Sequence, residues 1–478
     1  MLRNKILLSR HQVFPEVSSF GMAHLCRPDC SARGTSSVWG SVLGVNVKKL
    51  GLAVALVLCP LQAQARAPSA DEILDQANHY TVKVRRVGSI GFNEDQGTSA
   101  HATGFLVDRA RGWILTNAHV ASRSPVTLTV SFKGHRYVSA RRVFVDRLTD
   151  VAVLEIDPKD IPSDAVTAEL QCNAMPRVGT PVAIFGHPGS LSYTATRGII
   201  SSISWVFPTE IIQSDATVNG GNSGGPLIDL STGKIVGIAA ASFRDTNDDH
   251  STAVSFSEPM PPVCQIIDLL KAGRDARYRQ LPAAYATAED DDRPIVATVF
   301  DPASGLKIGD RIVAVNGRGD VRNTSDLASR LRGNEGMVNV TVERDDREVV
   351  LSLATRVMPE ITRTKSIDLS GLVISNQWKL DSAEFQHEGY LFIDFTRPGS
   401  AAEMTEAYSG QHLVAVNNRT FTDLDQLYNY LQRLPADSDV NLILKAASSE
   451  QPFYRQYHLV TLPRGEPRWL EAAQPADD

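Results

Sequence analysis

Hydrophobic and polar positions between Thr81 and Phe256 form a series of short β-like runs separated by turn-forming residues. The runs are rich in β-branched and aliphatic side chains and show no 3.6-residue periodicity, which predicts an all-β barrel or sandwich of about 170 residues. They read TVKVRRV, ATGFLVD, GWILTNAHV, VTLTVSF, VAVLEI, PVAIFG and IVGIAAASF. Helices are predicted only at the two ends of this region, for DEILDQANHY before it and VCQIIDLLKAGR after it.

A second pattern begins beyond Arg274, and it occurs twice. The segment LKIGDRIVAVNGR (306–318) returns as AYSGQHLVAVNNR (407–419), an offset of 101 residues. Each copy precedes a helix-like stretch with two leucines four residues apart, namely Leu327 and Leu331, then Leu427 and Leu431. A repeat that contains a strand, a turn and a helix indicates one folded unit made twice.

Length and composition agree with a folded protein of several domains. The chain has 478 residues, 42% hydrophobic and 21% charged, and roughly three domains are expected for this length. We predict linkers at Ala284–Pro294, within the entry to the first repeated unit, and at Val357–Ser366, between the two units.

The first 65 residues have the composition of an export signal. They contain seven Lys or Arg residues and two acids, and Lys48-Lys49 leads into the apolar run LGLAVALVLCPLQAQA, which ends in small residues. A basic segment, a short apolar core and an A-x-A site predict a secretory signal peptide over 1–65 and a periplasmic location. An uncleaved membrane anchor is the alternative, although the run is short for a bilayer span.

Removal of this segment, which carries +5, from a chain of net charge −6 leaves about −11. Such a charge argues against nucleic acid or an anionic membrane as the main partner. Of the five cysteines, Cys172 and Cys264 alone lie beyond the leader, and whether they pair stays open. Their spacing does not match a metal site, so we expect no metal and no cofactor.

The stretch QSDATVNGGNSGGPLID places Ser223 between glycines, where it is either a nucleophile or a polar residue of a turn. A serine nucleophile needs a base and normally an acid that orients the base. His119 in ILTNAHVAS and Asp150 in DRLTDVAVLEI lie at the ends of β-runs and supply both. The order His, Asp, Ser is that of the chymotrypsin-like double barrel. An α/β-hydrolase elbow would require a helix after the serine, and a turn and a strand follow instead.

TNAHV, TDVAVLEI and QSDATVNGGNSGGPL, followed by two units with KIGDRIVAVNG-type segments, resemble the HtrA (DegP/DegQ-like) serine endopeptidases with PDZ domains. The resemblance covers about Asp71 to Arg464. It implies a mainly β fold, in which a chymotrypsin-like double β-barrel protease domain is followed by two PDZ-like α+β domains. It also implies a homotrimer or a multiple of trimers. The short apolar run of the leader predicts no stable insertion into the membrane.

The domains expected from these patterns are a protease domain at 71–274, PDZ-like domains at 275–357 and 360–464, and an acidic C-terminal tail at 465–478. The resemblance assigns His119 as general base and acid, Asp150 as its orienting acid and Ser223 as nucleophile. It places an oxyanion hole at the backbone of Gly221 and Ser223, with Asn222 as a further candidate. His187 stands where the family often has Asn, and we interpret it as an ordinary loop residue.

The segments before and after Ser223 should line the pocket for the residue that precedes the scissile bond. They carry no acid, so cleavage after small aliphatic residues is expected; the lining residues are Thr217, Val218, Ala239, Ala240 and Ala241.

PDZ domains bind a C-terminal peptide as an added strand. DLSGLVIS predicts a carboxylate-binding loop in the second unit, at Leu369, Ser370, Gly371 and Leu372. The first unit lacks an equally clear loop, so the second should supply most of the affinity.

The sequence therefore predicts an exported, ATP-independent serine endopeptidase that cleaves unfolded envelope proteins and uses PDZ-like domains to recruit peptides. The alternative is a chaperone or peptide-sensing scaffold with vestigial proteolysis.

Overall fold

The computed structural model describes residues 68–92, 99–189, 191–206, 209–243, 254–288, 291–358, 365–377, 390–446 and 457–471. The predicted signal peptide at 1–65 lies outside these residues. Within them, no helix is both long and apolar enough to span a bilayer.

The first six strands close into a barrel in the order β1-β2-β3-β6-β5-β4. These strands are β1 (Thr81–Val87), β2 (Ser99–Asp108), β3 (Trp113–Thr116), β4 (Thr127–Ser131), β5 (Val138–Asp146) and β6 (Val151–Glu155). The predicted run TVKVRRV corresponds to β1. Side chains such as Phe105, Ile114 and Leu154 fill the interior and are fully buried.

The next six strands close into a second barrel in the order β10-β11-β12-β9-β8-β7. They are β7 (Pro181–Gly186), β8 (Thr194–Val206), β9 (Thr209–Ser214), β10 (Pro226–Asp229), β11 (Ile235–Phe243) and β12 (Val254–Pro259). The predicted runs PVAIFG and IVGIAAASF correspond to β7 and β11. Two closed barrels confirm the predicted double-barrel fold.

Both predicted helices that flank the barrels are present, as α1 (Ala70–Tyr80) and α3 (Met260–Lys271). Helix α1 begins with a capping box, because Ser69 accepts a hydrogen bond from Glu72 N and Glu72 accepts one from Ser69 N. A four-residue helix, α2 (Ala118–Ala121), was not predicted, and it contains His119. Single-turn 3₁₀ helices occur at Pro158–Asp160, Pro302–Ser304 and Ala402–Met404.

Cys172 and Cys264 form a disulfide across a sequence separation of 92 residues. It joins the segment between the barrels to α3, which answers the question that the sequence left open.

The first C-terminal unit is a five-stranded sheet of order β14-β15-β16-β17-β18 with one helix, beside a two-stranded β13-β19 pair. Its elements are β13 (Arg279–Gln280), β14 (Ala283–Ala288), β15 (Asp291–Val299), β16 (Arg311–Val315), α4 (Thr324–Leu331), β17 (Met337–Arg344), β18 (Arg347–Ala354) and β19 (Arg356–Val357). The predicted linker Ala284–Pro294 is wrong, because its described residues belong to β14 and β15, which pair with each other. Within the predicted linker Val357–Ser366, residues 359–364 lie outside the described part of the chain.

The second unit repeats this plan with the same number of strands, but its first and last strands join the main sheet, whose order is β25-β24-β23-β22-β21-β20-β26. Its elements are β20 (Lys365–Leu369), β21 (Leu372–Gln377), β22 (Tyr390–Thr396), β23 (His412–Val416), α5 (Leu424–Arg433), β24 (Asp439–Lys445), β25 (Tyr457–Pro463) and β26 (Arg468–Glu471). Strand β26 lies inside the predicted acidic tail 465–478 and pairs with β20, so that part of the tail belongs to the sheet.

The sequence repeat corresponds to matching structure. β16 and β23 each end in a turn whose Asn has a positive φ, Asn316 (50°) and Asn417 (47°). All four repeated leucines of α4 and α5 are buried, with relative exposures of 0–1%.

Candidate active site

His119 and Asp150 meet at one edge of the first barrel. His119 Nδ1 lies 2.7 Å from Asp150 Oδ2, and the His119 backbone N–H donates to Asp150 Oδ1 at 3.0 Å. The His119 side chain is 47% exposed and that of Asp150 is 27% exposed. The carboxylate therefore fixes both the ring and the backbone of the histidine.

Local structure holds this pair in place. Asp150 has a φ of 44°, an uncommon conformation for a residue with a side chain. Its carbonyl accepts hydrogen bonds from Ala118 N (3.1 Å) and from Asn117 Nδ2 (2.9 Å). The buried Arg86 donates to the carbonyl of His119 at 2.9 Å. These contacts connect the residue before β6 to the short helix α2, and no sequence pattern indicated the roles of Asn117 and Arg86.

Ser223 lies in the turn between β9 and β10 of the second barrel and is half-buried. Its hydroxyl donates to the carbonyl of Ala240 on β11 at 3.1 Å. The backbone of this turn is connected to the first barrel, because Thr103 N on β2 donates to the carbonyl of Ser223 at 2.9 Å.

Thr103 connects the turn to both barrels. Its hydroxyl donates to the carbonyl of Gly221 at 2.7 Å and accepts from His187 N at 3.2 Å. Its own carbonyl accepts from the Thr116 hydroxyl at 2.7 Å. Thr103 is fully buried. Sequence analysis missed this residue, because a threonine within a β-run has no distinguishing pattern.

The turn itself requires glycine at two positions. Gly221 has a φ of 102°, and a Cβ there would lie 2.2 Å from the carbonyl oxygen of His187. Gly224 has a φ of 83°, and its Cβ would lie 2.1 Å from Thr103 O. No other amino acid fits either position without displacement of the neighbouring backbone.

The three backbone amides predicted for an oxyanion hole are not equivalent. Asn222 N already donates to Asn219 O at 2.9 Å. The carbonyl of Gly220 accepts from Gly189 N at 2.8 Å, so the N–H of Gly221 on the opposite side of that trans peptide points away from Gly189. The amides of Gly221 and Ser223 are therefore better candidates than that of Asn222.

His187 lies in a loop directly after β7, as the sequence interpretation had it, and its burial was not predicted. It is 4% exposed, its Nδ1 accepts from Tyr193 N at 3.1 Å, and its ring contacts Tyr193 edge-on. Burial, followed by the nearby charge of Lys83, lowers the pKa of His187 to about 4. The ring is consequently neutral at pH 7.

Glu258 is a second buried titratable group near the site. It lies on β12 opposite Ile238 and is 9% exposed. Burial, together with the negative charges of Asp150 and Asp146, raises its pKa well above the usual range. Sequence analysis did not identify Glu258, because a single Glu in the run VSFSEP is indistinguishable from a surface residue.

The described residues contain no cluster of three or more potential metal ligands.

Comparisons with known proteins agree with this geometry. Residues 102–238 match the trypsin-like peptidase domain. The chain is 28% identical over 350 residues to the serine endoprotease DegS of Salmonella typhimurium, covering 65% of this chain and 96% of that protein. It is also 28% identical over 376 residues to a DegP-like periplasmic serine endoprotease of Pseudomonas savastanoi, covering 72% of this chain and 76% of the relative. These similarities support an HtrA-type serine endopeptidase with a trypsin-like peptidase domain.

A solved structure shows the same fold. The HtrA-type protease AlgW with a tripeptide superposes with a TM-score of 0.50 at 23% identity, covering 61% of this chain and 98% of that chain. At this identity the likeness concerns the fold alone.

The residues predicted to line the specificity pocket are partly gathered at Ser223. Ala240 accepts the Ser223 hydroxyl through its carbonyl, and the Ala239 backbone bonds to Gly224 N and Gly225 O at 2.8 Å each. The side chains of Ala239 and Val218 are buried in the core of the second barrel. Thr217 is exposed, and its carbonyl accepts from Thr196 Oγ1 at 2.8 Å. Ala241 lies on β11 opposite Phe256.

The predicted carboxylate loop of the second unit forms a tight hairpin turn between β20 and β21. Ser370 and Gly371 both have positive φ values, 51° and 95°, as in type I′ turns. Gly371 N donates to Asp368 Oδ1 at 2.8 Å, and β21 is paired on both sides, by β20 and β22. The Gly371 amide and the β21 edge are thus occupied, which argues against the predicted role of Leu369–Leu372.

Proposed function

We propose that this HtrA-type chain is an exported, ATP-independent serine endopeptidase that degrades unfolded or misfolded proteins of the cell envelope. The observation that carries the proposal is the 2.7 Å contact between His119 Nδ1 and Asp150 Oδ2 in the first barrel, to which the glycine-rich turn of Ser223 is bonded through Thr103 N. The periplasmic relatives support the location. The sequence contains no Walker-type nucleotide loop, so substrates would have to be unfolded already.

In the proposed mechanism Ser223 is the nucleophile. Its hydroxyl breaks the hydrogen bond to Ala240 and turns to His119 Nε2, which takes the proton as Oγ attacks the peptide carbonyl. Asp150 accepts from His119 Nδ1, which selects the tautomer with a free Nε2 and stabilises the imidazolium. His119 then protonates the leaving amine, and water hydrolyses the acyl-enzyme by the same route.

The negative charge of the tetrahedral intermediate would be stabilised by the N–H groups of Gly221 and Ser223. The Thr103 hydroxyl supports this arrangement, since it binds the Gly221 carbonyl and so holds the peptide that follows. The small Ala240 beside Ser223, with no acidic side chain among the predicted lining residues, supports cleavage after small aliphatic residues.

We also propose that the C-terminal units recruit peptides and that the edge of β14 in the first unit is the docking strand. Among the described residues β14 pairs with β15 alone, so its other edge can accept an extended peptide by strand addition. A homotrimeric assembly remains the expectation from the family resemblance.

Replacement of the nucleophile tests the proposed function. We expect Ser223→Ala to lower casein hydrolysis by roughly 10³-fold or more, and Asp150→Asn to lower it strongly through loss of the correct tautomer. The measurement is the initial rate of casein hydrolysis, with covalent labelling by a serine-reactive fluorophosphonate. Ser231→Ala, an exposed serine in the turn after β10, is the matched control and should keep wild-type activity.

Activity of Ser223→Ala within tenfold of wild type would overturn the assignment of the nucleophile. A wild-type protein that prevents aggregation of unfolded casein without hydrolysing it would instead favour the chaperone function.

A further inference from the structure

Two buried arginine–aspartate pairs connect the catalytic barrel to the C-terminal units. Arg123, four residues after His119, lies 2.5 Å from Asp394 on β22, and the two side chains are 3% and 1% exposed. Arg332, the residue after α4, pairs with Asp146 at the end of β5, and those side chains are 2% and 5% exposed. Each C-terminal unit therefore contacts the segment that carries one member of the His119–Asp150 pair.

The Arg332 pair fixes the chain that leads to Asp150. One carboxylate oxygen of Asp146 accepts from Arg332, while the other accepts from Leu148 N at 2.9 Å. Arg332 also donates to the carbonyl of Ala276, at the entry to the first unit. The guanidinium thus holds a carboxylate that itself shapes the turn between β5 and Asp150.

The Arg123–Asp394 pair similarly holds the segment that follows His119. Arg123 donates to Ser375 on β21 at 3.3 Å, and its guanidinium lies 4.6 Å from the centre of the Phe92 ring. Phe92 packs with Ile90 and with Val373 of the second unit. A buried polar and apolar contact therefore anchors the end of α2 to the second unit.

Several ionisable groups surround Asp146, so loss of its contact with Arg332 would change the charge balance of the region. The charges of Asp146 and Asp150 both act on the buried Glu258, and those of Arg332 and Asp146 act on the half-buried Tyr278. Arg332 is therefore a cation paired within a region that contains three carboxyl groups. Removal of one partner from a buried ion pair leaves an uncompensated charge that the surrounding segments must rearrange to accommodate.

We propose that Arg332 and Arg123 are positioning residues for proteolysis. They hold the segments of Asp150 and His119 in the alignment that catalysis requires only when both C-terminal units are docked on the barrel. This inference rests on the proposed function. Neither arginine contacts the substrate or the reacting atoms, so their effect is expected on turnover and not on substrate binding.

The test uses the full chain and a short chromogenic peptide that ends in a small aliphatic residue before the leaving group. Arg332→Met and the isosteric Asp146→Asn should each lower kcat by between about 10- and 100-fold, with KM within about twofold of wild type, because misalignment affects the transition state alone. Since both variants act through one contact, the double variant should fall no lower than the worse single variant. Arg332→Lys should recover part of kcat.

Arg330→Met is the matched control, since Arg330 lies on the same helix and its bonds to Arg318 O, Gly319 O and Asp326 stay within the first unit. It should keep wild-type kcat. Arg123→Met and Asp394→Asn repeat the design for the second unit. If an Arg→Met variant does not fold, kcat of the isosteric Asp→Asn variant of the same pair tests the inference instead.

Wild-type kcat in Asp146→Asn and Asp394→Asn would overturn the inference while leaving the proposed function intact, as would a rise in KM at unchanged kcat. An inactive wild-type protein would overturn both.

Discussion

Glu258 and His187 are the two residues near the site whose ionisation the fold disfavours. Glu258 lies at the interface of the two barrels, where burial and the charges of Asp150 and Asp146 oppose its negative form. His187 is enclosed behind the Gly221 turn, where burial opposes its positive form. Each therefore makes stability depend on pH, and the two dependences have opposite signs.

For Glu258 the pKa is raised on folding, so the unfolded state loses a proton that the folded state keeps once the pH exceeds about 4.5. The contribution of Glu258 to the free energy of unfolding is therefore complete below that pH and declines as the pH rises. We expect Glu258→Gln to be more stable than wild type at pH 7 to 8, with the difference vanishing near pH 4. Urea unfolding at several pH values measures it, with the exposed Glu335→Gln as control. Equal stabilities at pH 8 would contradict the prediction.

For His187 the pKa is lowered from 6.5 to about 4, so the unfolded state binds the extra proton between these values. Stability is complete above pH 6.5 and declines towards pH 4, by about 2 kcal/mol at pH 5. His187→Asn should lose less unfolding free energy than wild type between pH 7.5 and pH 5. The exposed His101→Asn is the control, and a slope in His187→Asn as steep as in wild type would exclude this role.

At the scale of elements, the disulfide joins two parts of the protease region that no strand pairing connects. Cys172 is exposed in the segment between the barrels, and Cys264 is buried on α3, which leads to the first C-terminal unit. A covalent link across 92 residues restricts the unfolded chain strongly.

We expect Cys172→Ser/Cys264→Ser to lower the free energy of unfolding by about 2–5 kcal/mol relative to the oxidised wild type. The measurement is chemical unfolding with and without a dithiol reductant. The reductant should destabilise wild type and leave the double variant unchanged. If oxidised wild type and the double variant unfold at the same denaturant concentration, the disulfide makes no net contribution.

At the scale of the whole molecule, the two repeated units differ in which sheet edge they leave open. In the second unit β20 covers β21, and β26 then covers β20. In the first unit the corresponding pair β13-β19 forms a separate two-stranded sheet, so among the described residues β14 remains an edge. The structure therefore favours the first unit for strand addition, the reverse of the preference inferred from DLSGLVIS.

We expect a peptide with a free apolar C-terminus to bind Ser223→Ala protein with micromolar affinity, about −8 kcal/mol, because one strand edge and one pocket are engaged. A Ser223→Ala chain that ends after Met358 should retain this affinity, measured by fluorescence anisotropy. The amidated peptide is the control. Loss of binding on truncation would restore the second unit as the docking site.

The sequence by itself determined most of the strands and the repeat, because these depend on local periodicity, whereas the double barrel followed from the order of the three motifs and the family resemblance. TVKVRRV and PVAIFG became β1 and β7 without a shift, and the leucines of α4 and α5 are buried as their spacing predicts. The order of His119, Asp150 and Ser223 was likewise visible, since each lies in a short motif.

Tertiary structure alone decided the features that depend on neighbours far apart in the chain. The disulfide, the burial of His187 and Glu258, the bonds of Thr103 and the Arg123 and Arg332 pairs all join distant segments. The strand pairing that covers the edge of β21 and leaves that of β14 exposed also joins distant segments. No local sequence pattern encodes which strand will cover which edge.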